Sequence, residues 1–221
     1  MAGGPNNTEY IKKNNFKWEY LEGARFAGDY DMPELMPAHG LTPRFPVPFN
    51  AAATEKHADG KWVHFYIHDY QFERFWRDAD RYLGVLKRFE GVISPDFSML
   101  LNMPQAQQIW NCWRNKALTY YMQRNGINTI PNVGWSDASS YEWAFAGIPE
   151  DSVLAVTSQG CMGKNHVCKQ SFVNGLHELA RRKHPEKLVV YGEFPEEWRK
   201  RFPMPVVVLS SFSRTHLRKE A

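Results

Sequence analysis

The sequence has few cysteines and no apolar run long enough to cross a bilayer. Three of its 221 residues are cysteine, which predicts free thiols in a reducing, intracellular setting. The longest apolar runs, at 188–190 and 206–209, are far shorter than the roughly 18 residues that a membrane-spanning helix needs. Residues 1–8 are polar and have neither the basic region nor the apolar stretch of a secretory signal. We therefore expect an intracellular protein without a membrane segment.

Glycine-rich phosphate loops are also absent, and the charge is nearly balanced. The sequence contains neither G-x-G-x-x-G nor G-x-x-x-x-G-K-[ST], which argues against nucleotide binding through such turns. The formal net charge is +3 at pH 7, a value that permits nucleic-acid contact without requiring it. What the sequence does contain is 43% apolar and 14% aromatic residues, enough to bury the core of one globular domain.

The chain divides by composition into three parts. Residues 1–55 combine several aromatic residues with crowded prolines at positions 33, 37, 43, 46 and 48. This composition predicts a proline- and aromatic-rich N-terminal extension that packs on a folded body. Residues 56–212 are predicted to form an α/β domain, and residues 213–221 a polar, frayed tail.

From residue 61 onward, short apolar runs alternate with segments of helical periodicity. Six strands are predicted, at 62–67, 91–94, 127–133, 152–157, 187–191 and 206–209. Helices are predicted between them, at 71–89, 104–125, 140–145, 169–183 and 196–201. Such βα units have right-handed crossovers and form a parallel sheet. Polar residues after nearly every strand favour an incomplete, TIM-barrel-like (β/α) body, with an open doubly wound sheet as the alternative.

Polar side chains follow the predicted strands, where the loops of parallel α/β folds form the active face. Three carboxylates there are candidate catalytic residues, because paired carboxylates can divide acid and base duties: Asp96, Asp137 and Asp69. The candidate ligand-binding residues are Ser98, Asn132, Trp135, Ser158, Gln159 and Glu193. The competing interpretation is that Asp69 and Asp137 cap the helices that follow them. Trp135 is suited either to stacking on a ligand or to core packing.

Two further segments contain residues that could bind a metal ion, a phosphate or nucleic acid, but their sequence patterns are less specific. Cys161, His166 and Cys168 lie within eight residues, but this spacing is not a recognised zinc pattern, so no metal site is predicted and metal binding stays open. The same loop, with Lys164, is basic enough to admit a phosphate. Arg114, Lys116 and Arg124 lie among aromatic residues on one predicted helix, a mixture typical of nucleic-acid binding but also of an ordinary solvated face.

Several segments in order resemble one known family. They are 91–98, Met103-Pro104, 108–111, 114–117, 125–127, 130–133, Trp135, 147–149, Gly160-Cys161, 172–176 and 189–192. Over about residues 60–212, this pattern resembles the domain-of-unknown-function family 4417, which is found on bacteriophages, prophages and other mobile elements. The resemblance implies a phage-type protein in the cytoplasm of a bacterial host, and it implies no activity.

Two hypotheses of function follow from these features. The first is an enzyme that acts on a nucleoside, nucleotide or glycosyl-type ligand, with Asp96 as nucleophile or base and Asp137 as its acid partner. The second is a non-catalytic binding protein for nucleic acid, a host protein or a signalling nucleotide. The sequence predicts no particular cofactor and no oligomeric state.

Overall fold

The computed structural model describes residues 16–163 and 165–210 of the chain. Its strands are β1 (Phe26–Ala27), β2 (Met32–Pro33), β3 (Phe45–Pro48), β4 (Lys61–His64), β5 (Gly91–Ile93), β6 (Thr129–Ile130), β7 (Val153–Thr157), β8 (Lys187–Tyr191) and β9 (Val206–Leu209). Its α-helices are α1 (Phe49–Ala52), α2 (Asp69–Arg77), α3 (Asp80–Leu86), α4 (Gln105–Arg124), α5 (Tyr141–Phe145), α6 (His166–Lys183) and α7 (Glu196–Arg199). Two 3-10 helices occupy Trp18–Leu21 and Ala138–Ser140. Among these described helices, none combines the length and apolar composition needed to traverse a bilayer.

Seven of the strands run parallel, in two sheets whose neighbours are consecutive along the chain. One sheet has the order β3-β4-β5-β6 and the other the order β7-β8-β9. A parallel bridge between Asn132 and Ala155 connects the two sheets, and the Val133 amide donates to the Ala155 carbonyl at 2.8 Å. The predicted α/β class with parallel strands is therefore confirmed. No pairing among the described strands joins β9 back to β3, and no closed barrel is present in this part of the chain.

Each face of the strands packs in a different layer. Side chains of one face meet the helices; for example, the rings of Phe65 and Phe75 stack with their centroids 5.4 Å apart. The other face forms a single apolar cluster contributed by both sheets: Trp62, Tyr66, Ile93, Ile130, Val153, Ala155, Val189, Tyr191 and Leu209, with Ala38 from the N-terminal segment. Strands buried on both faces explain the continuous apolar sequences of β7 and β8.

The N-terminal segment contributes more regular structure than its composition predicts. Phe45–Pro48, inside the predicted extension, forms β3 and pairs with β4 in parallel. Earlier in the segment, the Arg124 guanidinium at the end of α4 donates to the Glu22 carbonyl at 2.9 Å and to the Glu19 carbonyl at 3.1 Å. The segment from residue 16 to the start of β4 therefore packs closely on the α/β body. The predicted tail 213–221 and residues 1–15 lie outside the described residues.

The predicted helix at 71–89 is wrong as a single element. The structure has α2 and α3 instead, separated at Asp78, whose φ of −153° and ψ of 78° are not helical. Residue 79 is buried, so the chain turns inward here before the second helix begins. The helix predicted at 169–183 begins three residues earlier, because the Asn165 side chain caps it by accepting from the amides of Val167 and Cys168.

Candidate functional site

A chain of hydrogen bonds links residues that follow three neighbouring strands. The Tyr66 hydroxyl, two residues past β4, donates to Asn132 Oδ1 at 2.8 Å. Asn132 Nδ2 in turn donates to Asp96 Oδ1 at 2.8 Å, and the Asn132 backbone amide donates to Ser94 Oγ at 2.8 Å. Because both ends of the Asn132 amide are engaged, its orientation is fixed and its NH2 group faces the carboxylate.

Asp96 has the electrostatics of a group that titrates near neutral pH. Burial raises the pKa of its carboxyl from the ordinary 3.8 to about 6, the hydrogen bond from Asn132 opposes this rise, and the nearby charge of Asp69 adds to it. Burial, followed by the charge of Asp96, also raises the pKa of Tyr66 well above its usual range. Tyr66 therefore remains a hydrogen-bond donor, while Asp96 can both give and take a proton.

Asp69 holds the turn that carries Asp96. Its two carboxylate oxygens accept from the Ser98 backbone amide at 3.1 Å and from the Ser98 hydroxyl at 2.9 Å. No side-chain hydrogen bond caps α2, so Asp69 stabilises the 95–98 turn instead of capping its own helix. Two of the residues predicted for the site, Asp69 and Ser98, thus lie together, next to a further predicted residue, Asp96.

The turn is held from the opposite side by helix α4. The Asn115 side chain accepts from the Phe97 amide at 2.8 Å and donates to the Phe97 carbonyl at 3.2 Å. The Arg114 guanidinium lies 3.4 Å from the centre of the Phe97 ring and forms an ion pair with Glu73 at 2.9 Å. These contacts fix the backbone on either side of Asp96.

A cavity of about 220 Å³ opens beside Asp96 and is lined mainly by apolar side chains. Trp135 forms part of its wall: its indole donates to the Ser171 carbonyl at 3.2 Å, and its ring stacks on Phe172 with centroids 5.8 Å apart. A Cβ atom at Gly175 of α6 would collide with the Trp135 indole, so the glycine makes room for this ring. Half-buried Trp135 therefore combines packing with a position on the cavity wall.

A second cavity, of about 510 Å³, has Tyr66 in its lining. His64, Tyr66 and Tyr191 form its inner wall, and Gln159 lines both cavities. All these residues lie at or just beyond the carboxyl ends of β4, β7 and β8. Both cavities therefore lie at this edge of the strands, the mouth, and Gln159 is common to their linings.

The remaining predicted site residues lie apart from this chain of hydrogen bonds. Asp137 is exposed and caps the short 3-10 helix after it by accepting from the Ser139 amide at 2.9 Å, which is the capping interpretation. Ser158 is buried, and its amide donates to the Tyr191 carbonyl at 3.0 Å, so it joins β7 to β8. Glu193 is exposed and lines neither of the two cavities.

The cysteine loop contributes thiols to the first cavity. Cys161 and Cys168 both line it, and burial raises the pKa of Cys161 to about 11, with further contributions from Cys168 and Asp96. The Cys161 thiol is therefore protonated at neutral pH. In the described ranges, no cluster of three or more histidine, cysteine, aspartate or glutamate side chains has the arrangement of a metal site. Lys164, the predicted phosphate contact, lies outside the described residues.

The three cations considered for nucleic acid are engaged within the protein. Lys116 is buried, and its ammonium donates to the carbonyls of Trp143 and Ala144 at 2.9 and 3.0 Å. Arg114 is paired with Glu73, and Arg124 is bonded to the N-terminal segment. Their basic groups therefore stabilise packing around α4 and do not form a cationic surface.

His64, Tyr66 and Tyr191 are the site residues that the sequence analysis missed. Each belongs to, or lies next to, an apolar run assigned to a strand, so each was treated as core. A signal was present in the sequence: Trp62, His64 and Tyr66 alternate along β4 and the two residues after it, a spacing that predicts three ring-bearing side chains on one face. A histidine among apolar strand residues is unusual enough to mark its position as a candidate site residue.

The fold and the site define an α/β protein that carries a carboxylate–amide–tyrosine network and two cavities at the carboxyl ends of its parallel strands. The chain belongs to the family described as Domain of unknown function (DUF4417), whose model matches residues 24–210. It is 34% identical over 166 residues to the Gene 1 protein of Mycobacterium phage L5, covering 74% of this chain and 72% of the relative.

A second relative is the Gene 1 protein of Mycobacterium phage D29, at 33% identity over 170 residues. The match covers 74% of this chain but 60% of that relative, so the chain spans less than two thirds of its length. The family origin is thus phage-type, as the sequence resemblance indicated. No solved structure matches the chain.

Proposed function

We propose that this phage-type protein is an enzyme of the host cytoplasm that acts on a small nucleoside- or glycosyl-type ligand, with Asp96 as its general acid–base. The observation that carries the proposal is the Asp96 carboxyl itself, which borders a cavity of about 220 Å³ and has a pKa raised to about 6 by burial. General acid–base catalysis is most effective when the pKa of the group lies near the working pH. Carboxyl groups whose pKa is raised by burial beside a cleft occur most often at functional sites.

The neighbours of Asp96 support the same role. Asn132 donates one amide hydrogen to the carboxylate and would keep it oriented as its proton moves. Asp69 is a positioning residue here, because it acts through the Ser98 amide and hydroxyl. Asp137 has no part in the proposed chemistry, since its carboxylate is exposed and bonded to the Ser139 amide.

The size and lining of the first cavity suit a ligand whose reacting part is flat or ring-shaped. Its volume of about 220 Å³ lies below the roughly 300–1,000 Å³ of pockets that enclose drug-sized ligands. Trp135 and Phe172 supply stacked aromatic surface, and Gln159 supplies a polar group. A nucleobase or a single sugar ring suits these dimensions. In hydrolysis at an anomeric carbon, the Asp96 carboxyl would protonate the leaving group while a water molecule attacks the carbon, and the carboxylate would regain its proton from that water.

We also propose that the seven parallel strands β3 to β9 form an incomplete barrel. Two observations support this arrangement: neighbours follow chain order in both sheets, and inward side chains from strands of both sheets form one cluster. A doubly wound sheet would instead reverse its strand order at a switch point. In a barrel-like body the two cavities occupy the mouth where active sites of such folds lie.

The direct test is turnover of a panel of nucleosides and aryl glycosides, followed by chromatography, with Asp96→Asn compared with Asp59→Asn. Asparagine keeps an oxygen that accepts from Asn132 but cannot exchange a proton, so we expect the Asp96 variant to lose about 10²–10⁴-fold in kcat. Exposed Asp59 is the matched control and should leave turnover unchanged.

The pH profile gives a second criterion. For the unsubstituted protein, kcat/KM should change slope near pH 6, the pKa of Asp96 in the free protein. If Asp137→Asn abolishes turnover and Asp96→Asn does not, the assignment of the acid–base to Asp96 is wrong. Tight binding of a panel member without turnover would favour the non-catalytic binding protein instead.

A further inference from the structure

His64 buries a hydrogen-bond donor for which the described part of the chain offers no partner. Only 1% of its surface is exposed, and its Nδ1 accepts the backbone amide of Tyr66 at 3.2 Å. The ring proton therefore resides on Nε2, and Nε2 is buried without a hydrogen-bond partner among the described residues. Burial also lowers the pKa of His64 to about 3, so the ring is neutral and Nε2 donates at physiological pH. Burying a donor without a partner lowers the stability of the folded protein by about 1–3 kcal/mol.

The residue that carries this donor lines the second cavity. His64 lines the cavity of about 510 Å³ together with Tyr66 and Tyr191. The His64 ring lies 4.4 Å from the Tyr191 ring, and the Tyr66 and Tyr191 rings stack at 4.7 Å. Nearer the rim, Asn50 and Thr54 bring amide and hydroxyl groups to the same wall. Aromatic surface with neutral polar groups is a lining that suits hydroxyl- and carbonyl-bearing molecules.

The charges of the residues that line the two cavities indicate which class of ligand can bind. Among the described residues that line either cavity there is no lysine or arginine, and Asp96 is the one carboxylate. A phosphate placed against these described residues would bring at least one negative charge into a partly buried site where none of them supplies a counter-charge, and close to Asp96, which is unfavourable. A neutral oxygen, in contrast, would satisfy the His64 donor at no electrostatic cost.

We infer that the second cavity binds an uncharged, hydroxyl- or carbonyl-bearing part of the ligand through a hydrogen bond from His64 Nε2, so that the mouth takes unphosphorylated nucleosides or sugars. This inference rests on the proposed function for the choice of ligand, since it adds a second compartment to the site of Asp96. Gln159 is common to the linings of both compartments, so a ligand held in either cavity lies beside this residue.

The test uses paired probes with and without a phosphate: uridine with uridine 5′-monophosphate, and glucose with glucose 6-phosphate. The full-length protein is titrated with each by calorimetry, and the His64 imidazole is followed in long-range 1H–15N spectra. We expect uridine or glucose to bind and to move the Nε2–H resonance, and its phosphate ester to bind at least tenfold more weakly.

Two substitutions at His64 separate ligand binding from folding. An asparagine amide occupies the Nδ1 position and can still accept the Tyr66 amide, whereas a glutamine amide reaches the Nε2 position and can still donate into the cavity. His64→Asn should therefore weaken binding of the uncharged probe about tenfold, the loss of one hydrogen bond. His64→Gln should stay within about threefold of the unsubstituted protein.

The outcomes distinguish this inference from the proposed function. If the uncharged probes leave the Nε2–H resonance of the unsubstituted protein unmoved, or if the phosphate esters bind as tightly, the inference is overturned. Asp96→Asn should still show the uridine- or glucose-induced shift while lacking turnover. A shift that persists in a protein without any turnover would leave the His64 subsite standing and remove the enzymatic proposal alone.

Discussion

Asp96 makes the stability of the protein depend on pH in a direction that is unusual for a carboxylate. Replacing it with asparagine should stabilise the protein at neutral pH and have little effect in acid. The rise in pKa from 3.8 to about 6, at about 1.36 kcal/mol for each tenfold change in proton affinity, corresponds to about 3 kcal/mol against the ionised form. Because the carboxyl is half-buried and solvent relaxes around it, we expect about 1–3 kcal/mol.

The sign follows from proton linkage. The folded protein holds the proton of Asp96 more tightly than the unfolded chain does, so this contribution is fully present below about pH 4 and is lost as the pH rises through about 6. The free energy of unfolding of Asp96→Asn, minus that of the unsubstituted protein, should therefore grow between pH 4 and 7 and then level off.

Urea unfolding at pH 4.5, 6 and 8 measures this difference, with Asp59→Asn as the exposed control, which should stay within about 0.5 kcal/mol. A difference for Asp96→Asn that is independent of pH, or that shrinks as the pH rises, would refute the electrostatic description of the site.

Two further predictions concern packing around the site. Gly175→Ala places a methyl group against the Trp135 indole, whereas the methyl group of Gly84→Ala in α3 meets no atom within 4 Å. In thermal unfolding, the stability of the protein should fall by more than 1 kcal/mol for Gly175→Ala and rise by about 0.5–1 kcal/mol for Gly84→Ala. Equal effects of the two substitutions would contradict the described packing of Trp135. Lys116→Met leaves the Trp143 and Ala144 carbonyls without their buried donor. Urea unfolding should show that the free energy of unfolding falls by about 2–4 kcal/mol, against less than 0.5 kcal/mol for Lys56→Met at an exposed position. Similar small losses for both variants would show that the buried contact contributes little to stability.

The bounds of a strand are predicted best from the sequence where its apolar residues form an uninterrupted run. The apolar sequences of β7, β8 and β9 contain no proline or glycine, and their predicted bounds differ from the observed ones by at most one residue. β3 was missed because its sequence, Phe-Pro-Val-Pro, lacks two backbone donors and thus argues against a strand in the middle of a sheet. Its position at the edge, with β4 as its one neighbour among the described strands, tolerates those prolines.

The candidate site was predictable where local position decides it and unpredictable where distant contacts do. Asp96 and Asn132 lie within three residues of the carboxyl ends of β5 and β6, so the parallel topology places them at one edge. Whether Asp69 caps a helix or holds a turn depends on Ser98, 29 residues later, and no local pattern contains that information. Asp137, in contrast, is followed by Ala-Ser-Ser and forms the local cap that its sequence favours.

The prolines of β3 also limit how copies of the protein can associate. Alternate residues of a strand direct their backbone amides to opposite sides, so Pro46 and Pro48, two residues apart, lack their donors on the same side. Parallel pairing with β4 uses the donors of the other side, at Phe45 and Val47. The free edge of β3 therefore presents carbonyl groups without matching amides, and another strand cannot extend the sheet there. This edge resists the intermolecular strand pairing that leads exposed sheets to aggregate.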